Sequence, residues 1–183
     1  MVQMHDTVQD LYAMQLAHYS AAAELGHDGA LNNLGVMFEH GHGVRRDLGK
    51  AHALYRQAAE KGNAHALFNL ALMYEEGRGL QRDVRHAVDL YMKAAAKGNL
   101  NALYNLASLY ERGVGVARNP SKALDLYGFA AERGHPQAII NVGILHFCGR
   151  GTPKDTEKAL YWFKRAAELG GQEDARFLRL LGC

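Results

Sequence analysis

Between positions 64 and 76 the apolar residues Ala66, Leu67, Leu70, Ala71, Met73 and Tyr74 fall three and four apart, the spacing that lays one buried stripe along a helix. A helix over roughly 64–76, helix A, is the expectation. It should stop at Gly77, since a glycine after the last turn can adopt the left-handed backbone that ends a helix, and Gly79 gives the turn further freedom. A second stripe follows in Ala87, Leu90, Tyr91, Ala94 and Ala95 and closes at Gly98. Asp83 precedes it, with a carboxylate suited to accept the free N–H groups of a first turn. This second segment is helix B.

The same sentence is written again along the chain. Glycine stands at 26, 62, 98, 134 and 170, always 36 residues apart, behind YSAAAELG, YRQAAEKG, YMKAAAKG, YGFAAERG and FKRAAELG. The helix B cap recurs as Asp47, Asp83, Asn119 and Asp155, and Pro120 follows Asn119 where proline suits a helix best. Alanines pair at 22 and 23, 58 and 59, 94 and 95, 130 and 131, and 166 and 167, small enough for neighbouring helices to approach closely. The aromatics before them, Tyr19, Tyr55, Tyr91, Tyr127 and Phe163, are expected to fill the space between helices. An isolated helix pair cannot bury both of its apolar faces, so each pair must stack on the next.

The predicted fold is therefore all-α, an α/α superhelix (solenoid) of antiparallel helix pairs, right-handed and linear rather than round. Full repeats cover 27–62, 63–98, 99–134 and 135–170, flanked by partial units 1–26 and 171–183. The N-terminal segment from Asp6 to Glu24 reads as an unpaired helix B with Asp6 and Gln9 as a capping box. The closing DARFLRLLGC reads as a truncated helix A. Uncovered half repeats of this kind are expected to stick, either to copies of the same chain or to further repeats of a longer parent.

Composition narrows the function more than the fold. The 183 residues carry 21 Lys plus Arg against 19 Asp plus Glu, and a net charge of +2 argues for neither a nucleic-acid nor a membrane partner. Asp6 and Asp10 interrupt the N-terminal apolar residues, so no membrane insertion is expected. With only Cys148 and Cys183 there is no disulfide framework, which points to the cytoplasm or another reducing compartment.

The run ALNNLGVMFEHGHGVRRDLGKAHALYRQAAEKG from Ala30, returning three more times, resembles the Sel-1-like repeat, a relative of the tetratricopeptide repeat. Departures are few: His146 for the helix A aromatic, Thr152 for the apolar residue after GxG, and His86 for the lysine before alanine. The resemblance implies a non-enzymatic adaptor that holds a protein or peptide partner. Cysteine-rich members of the family are described as binding or cleaving penicillin-type substrates, but they pair two cysteines in each repeat and this chain does not.

Comparison of the units separates scaffold from freedom. Asn33, Asn69, Asn105 and Asn141 occupy one position in every full repeat and are expected to line the concave helix A wall. A side-chain amide has one acceptor and two donors and can pair with an extended peptide backbone. The alternative is that each asparagine bonds to the neighbouring repeat and sets the stacking; the sequence admits both. Beside this constant row, Asn32, Phe68, Tyr104 and Ile140 vary, as do Val36, Leu72, Ser108 and Ile144, and His40, Glu76, Arg112 and Cys148. The partner-contacting residues expected from this are Asn33, Asn69, Asn105, Asn141, Phe68, Tyr104, Leu72, Glu76 and Arg112. Phe68 and Tyr104 are the candidate anchors, and packing between repeats is their alternative.

Other signals carry less chemistry. HGHG and EGRG lack the lysine and serine of a phosphate loop. His40 and His42 have no clustered third ligand, so neither metal nor cofactor is expected. His146 and Cys148 diverge on a helix and lack an orienting acid, which leaves no catalytic residue to name. Glu39, Glu75 and Glu111 form an acidic row expected to face solvent.

Overall fold

The structure, a computed structural model, describes residues 2–169, with side chains from position 8 onward. Among the described residues there are nine helices and no strand. The fold is the predicted all-α solenoid of helix pairs. The chain divides into two compact units, Met1–Lys97 and Gly98–Cys183.

The first unit holds α1 (Val2–Glu24), α2 (Asp28–His40), α3 (Leu48–Glu60), α4 (Ala64–Glu76) and α5 (Val84–Ala96). In it α1 packs on α2, α2 on α3, α3 on α4 and α4 on α5. The second unit holds α6 (Leu100–Arg112), α7 (Pro120–Glu132), α8 (Pro136–Cys148) and α9 (Thr156–Glu168), packed in the same succession. Helices α2, α4, α6 and α8 are the A helices; α1, α3, α5, α7 and α9 are the B helices.

Local chemistry explains each boundary. Asp47, Asp83, Asn119 and Asp155 each accept the backbone N–H three residues on, at 2.9–3.0 Å, and so start α3, α5, α7 and α9. The A helices have caps of their own one residue after the helix B glycine: Asn63, Asn99 and His135 accept from Ala66, Ala102 and Ala138. Gly62 has φ +89°, the left-handed conformation required of the chain as it leaves α3 for α4. Gly79 serves a second purpose besides its φ of +72°. A Cβ there would lie 2.5 Å from that of Leu48, so the turn after α4 can sit against the start of α3 only as glycine.

At the N-terminus, α1 runs back to Val2, so Asp6 and Gln9 lie within the helix and not at a capping box before it. Four residues of helix before the expected start at Asp6 put them within its first turns. The truncated helix A expected over 171–183, and Gly170, lie outside the described residues.

The core follows the repeated aromatics and alanines. Tyr55, Tyr91, Tyr127 and Phe163 are fully buried, as are Ala58, Ala94, Ala130 and Ala166 one turn further on. Tyr19, on the unpaired α1, is only half-buried. Against each hairpin's helix B stands the leucine, isoleucine and alanine stripe of its helix A, for example Leu67, Leu70 and Ala71 in α4.

Candidate functional site

The asparagine row sits on the A helices, beside the buried stripe. Asn33, Asn69, Asn105 and Asn141 are all half-buried. In the first unit the Asn69 amide donates to Asn32 Oδ1 at 3.0 Å, and Asn32 Nδ2 donates to Asn33 Oδ1 at 3.3 Å. The row there is a relay of amides from one repeat into the preceding one. In the second unit Ser108 and Asn141 lie beside the Tyr127 hydroxyl and oppose the upward push of burial on its pKa, which again sets α8 against the hairpin before it. An amide that donates once keeps a second donor and an acceptor.

Beside this row the first unit brings Phe68, Leu72 and Glu76 onto the same helix as Asn69. Phe68 is half-buried, its ring 5.9 Å from that of Tyr91, and Leu72 is half-buried. Glu76 is exposed, with an oxygen 3.0 Å from Arg78 Nε. The second unit brings together Tyr104, Asn105 and Arg112. Tyr104 stacks on His135 at 5.0 Å and tilts against Tyr127 at 5.4 Å, which leaves it half-buried. Arg112 is exposed and its Nε donates to the Ser108 carbonyl at 3.3 Å.

The acidic row is where the structure departs from the sequence expectation. Glu39 does not face solvent: its residue is 5% exposed, and Glu75 and Glu111 are half-buried. The Tyr55 hydroxyl donates to Glu39 at 2.7 Å, the Tyr91 hydroxyl to Glu75 at 2.7 Å, and the Tyr127 hydroxyl to Glu111 at 3.4 Å. Each carboxylate thus closes its hairpin against the buried helix B aromatic. Arg78 ion-pairs with Glu39 from the next repeat, and Arg150 does the same to Glu111 at 3.4 Å. Burial first, and then the Glu39 carboxylate, push the Tyr55 hydroxyl far above the ordinary tyrosine value; burial and Glu111 push Tyr127 up to about 12.

A signal for this contact was present in the repeats. Where tyrosine gives way to Phe163, the glutamate position gives way to Phe147, so hydroxyl and carboxylate leave together. Arg46, Arg82 and Arg118 were also missed. Each donates its Nε to the carbonyl of Glu39, Glu75 or Glu111, at 2.9, 2.8 and 3.0 Å, and satisfies the last turn of an A helix.

His40 and His42 stack on each other at 5.4 Å, and His42 stacks on Tyr12 at 5.0 Å. Among the described residues no three His, Cys, Asp or Glu converge as metal ligands, and no helix is long and apolar enough to cross a membrane. Cys148 is exposed, while His146 is half-buried and burial lowers its pKa.

A succession of glycine-closed helix hairpins, tied to one another through side chains within each unit and carrying a variable A face, defines a tandem helical-repeat protein. The Sel1 repeat pattern matches residues 29–63, 64–99, 100–135 and 136–171, and the chain belongs to the Sel1 repeat family. Comparison with curated proteins returned no match. Among solved structures it is similar to a protective antigen of uropathogenic Escherichia coli strains displaying an SLR fold, at 31% identity and a TM-score of 0.82 over 87% of this chain. The chain spans 34% of that antigen's length. A Sel1 repeat protein from Oxalobacter formigenes is 29% identical with a TM-score of 0.83, covering 92% of this chain and 74% of that one. Cysteine-rich protein B of Helicobacter pylori, at 24% identity and a TM-score of 0.57 over 73% of this chain and 96% of its own, shares the fold.

Proposed function

We propose that this chain is a non-enzymatic scaffold that grips a peptide or helix of a partner protein along its A helices. Sel1 repeats generally serve as protein-interaction scaffolds, and this chain has their fold. The observation that carries the finer reading is the composition of the A face within each unit. Half-exposed amides at a constant position stand beside half-exposed apolar side chains that change from repeat to repeat: Val36, Phe68 and Leu72 in the first unit, Tyr104, Ile140 and Ile144 in the second. Amides read backbone, which every peptide has, and variable apolar side chains select sequence.

Panning a displayed peptide library on the purified protein tests this. Replacing Asn33 and Asn69, or Asn105 and Asn141, with alanine should weaken the selected peptides about tenfold in variants that stay folded, with a modest fall in melting temperature for the first pair because Asn32 loses both amide partners. Unchanged affinity, or a collapse in stability, would assign the row to repeat stacking. A second reading is self-assembly, favoured by Val8, Leu11 and Met14, which leave α1 as exposed apolar side chains on a helix packed on one neighbour. Sedimentation over a concentration series should then show association that Leu11→Glu with Met14→Glu abolishes.

A further inference from the structure

The first unit carries a cleft that the A-face reading does not use. It is walled by the two B helices α3 and α5 and floored by α4, with a volume of about 480 Å³. That is within the range of pockets that take ligands. Its floor is apolar, made by Leu67 and Leu70 of α4 with Leu90 at the foot of α5, all nearly inaccessible.

The rim has the opposite character. Arg56, Lys93 and Lys97 stand around it, all exposed, against one carboxylate, Glu60, which lies 3.8 Å from Arg56. Neither Lys93 nor Lys97 is within ion-pair distance of a carboxylate among the described residues. Side chains from all three helices add hydrogen-bonding groups held in place by each other: His52 Nε2 is 3.4 Å from the Tyr74 hydroxyl, and the His86 ring meets the Tyr74 ring edge-on at 4.4 Å. The cleft therefore combines an apolar floor, unspent positive charge and fixed hydrogen-bonding groups.

The repeat itself does not require a polar group at three of these positions. Two repeats later, in the second unit, Leu124, Gly128 and Leu169 stand where the first unit has His52, Arg56 and Lys97, and Trp162 replaces Leu90. Arg165, in the place of Lys93, donates to the Glu132 carbonyl at 3.1 Å, its guanidinium 5.4 Å from the Trp162 ring. The same hairpins form with leucine or glycine at the His52, Arg56 and Lys97 positions. The charges of Arg56 and Lys97 are thus free of any duty to the fold.

We propose that this cleft is a second binding site, for an acidic peptide segment in which an apolar side chain is flanked by carboxylates. The apolar side chain enters over Leu67, Leu70 and Leu90, and the carboxylates meet Lys93, Lys97 and Arg56. Charge complementarity selects the peptide and the floor supplies burial.

The test uses a mixture of fluorescein-labelled heptapeptides with leucine, isoleucine or phenylalanine at the centre and aspartate or glutamate on both sides. Anisotropy should show saturable binding with a Kd of about 0.1 mM or tighter at low salt, weakened at least fivefold near 0.5 M salt. Lys93→Glu with Lys97→Glu should reduce affinity about tenfold or more at unchanged circular dichroism, while Asn33→Ala with Asn69→Ala should leave it unaltered. That last arm separates failure here from failure of the A-face reading. The proposal is overturned by the absence of saturable binding, by equal binding of the peptides with asparagine and glutamine in place of the acids, or by full affinity in the charge-reversed protein. Equal binding of peptides with glycine at the centre, or displacement by inorganic phosphate at similar concentration, would overturn the peptide class in favour of a simple anion.

Discussion

The two units solve one problem with different chemistry. In the first, a hairpin is closed by a buried carboxylate: Glu39 accepts from Tyr55 at 2.7 Å and pairs with Arg78, with its side chain only 6% exposed. In the second, the corresponding tie is looser, with Tyr127 at 3.4 Å from Glu111, Arg150 also at 3.4 Å, and the carboxylate side chain 22% exposed. The last hairpin dispenses with it, setting Phe163 and Phe147 at the two positions. A helix pair of this length can thus be locked by a polar network or by apolar bulk. What differs is the penalty for breaking it, because a carboxylate removed from a buried network leaves its partners without compensation.

The sharpest way to break this contrast is to delete the carboxylates one at a time. Glu39→Ala should cost about 3 kcal/mol in urea denaturation, since it orphans the buried Tyr55 hydroxyl and leaves Arg78 with Glu76 as its remaining carboxylate partner. Glu111→Ala should cost only about 1 kcal/mol, because water already screens that pair. Equal losses would mean that the two ties are equivalent despite their geometry.

A smaller effect tests whether the last hairpin differs only by composition. Phe163→Tyr should destabilise by about 1 kcal/mol on its own, placing a buried hydroxyl opposite Phe147. Adding Phe147→Glu should recover part of that loss, a coupling of about 1 kcal/mol in a double-mutant cycle. A coupling of zero would show that the register of the fourth hairpin no longer brings the two positions together.

The smallest effect is on acid stability. Burial holds His52 in the first unit, and His135 and His146 in the second, below the ordinary histidine pKa; Arg56 and His86 add to it at His52. An imidazole that resists protonation when folded takes up its proton on unfolding, so below about pH 6.5 the unfolded chain binds more protons and stability falls as pH falls. His52→Leu, which copies the second unit's Leu124, should flatten that decline in melting temperature between pH 7 and pH 5. Parallel curves for the variant and the parent would remove His52 from the account.

Much of this was legible in the sequence, and the reason is locality. The span 64–76 for α4 and the caps at Asp47, Asp83, Asn119 and Asp155 rest on groups within one turn of each other, as do the left-handed glycines that close α3 and α5. The start of α1 was misplaced because Asp6 and Gln9 satisfy the capping pattern without being at an end. The acidic row departs from the solvent-facing expectation because a glutamate in the last turn of an amphipathic helix normally faces water, and its partners lie 16 and 39 positions away. The asparagines and the anchor candidates fall between these cases: their place on helix A was readable, while the Asn69 contact to Asn32 and the Tyr104 stack on His135 needed coordinates.

By itself the sequence determined the period, the helices, their ends and the family, because helix periodicity, caps and positive-φ turns act over a few residues and are written 36 positions apart in the same words. Only the tertiary structure decided which charges are buried and which remain free. Glu39 meets Tyr55 across 16 positions and Arg78 across 39, and Lys93 is left facing a cleft whose opposite wall is α3. Burial depends on what the stack brings alongside, and identical short-range patterns place one carboxylate in the core and leave its counterparts half-open to water.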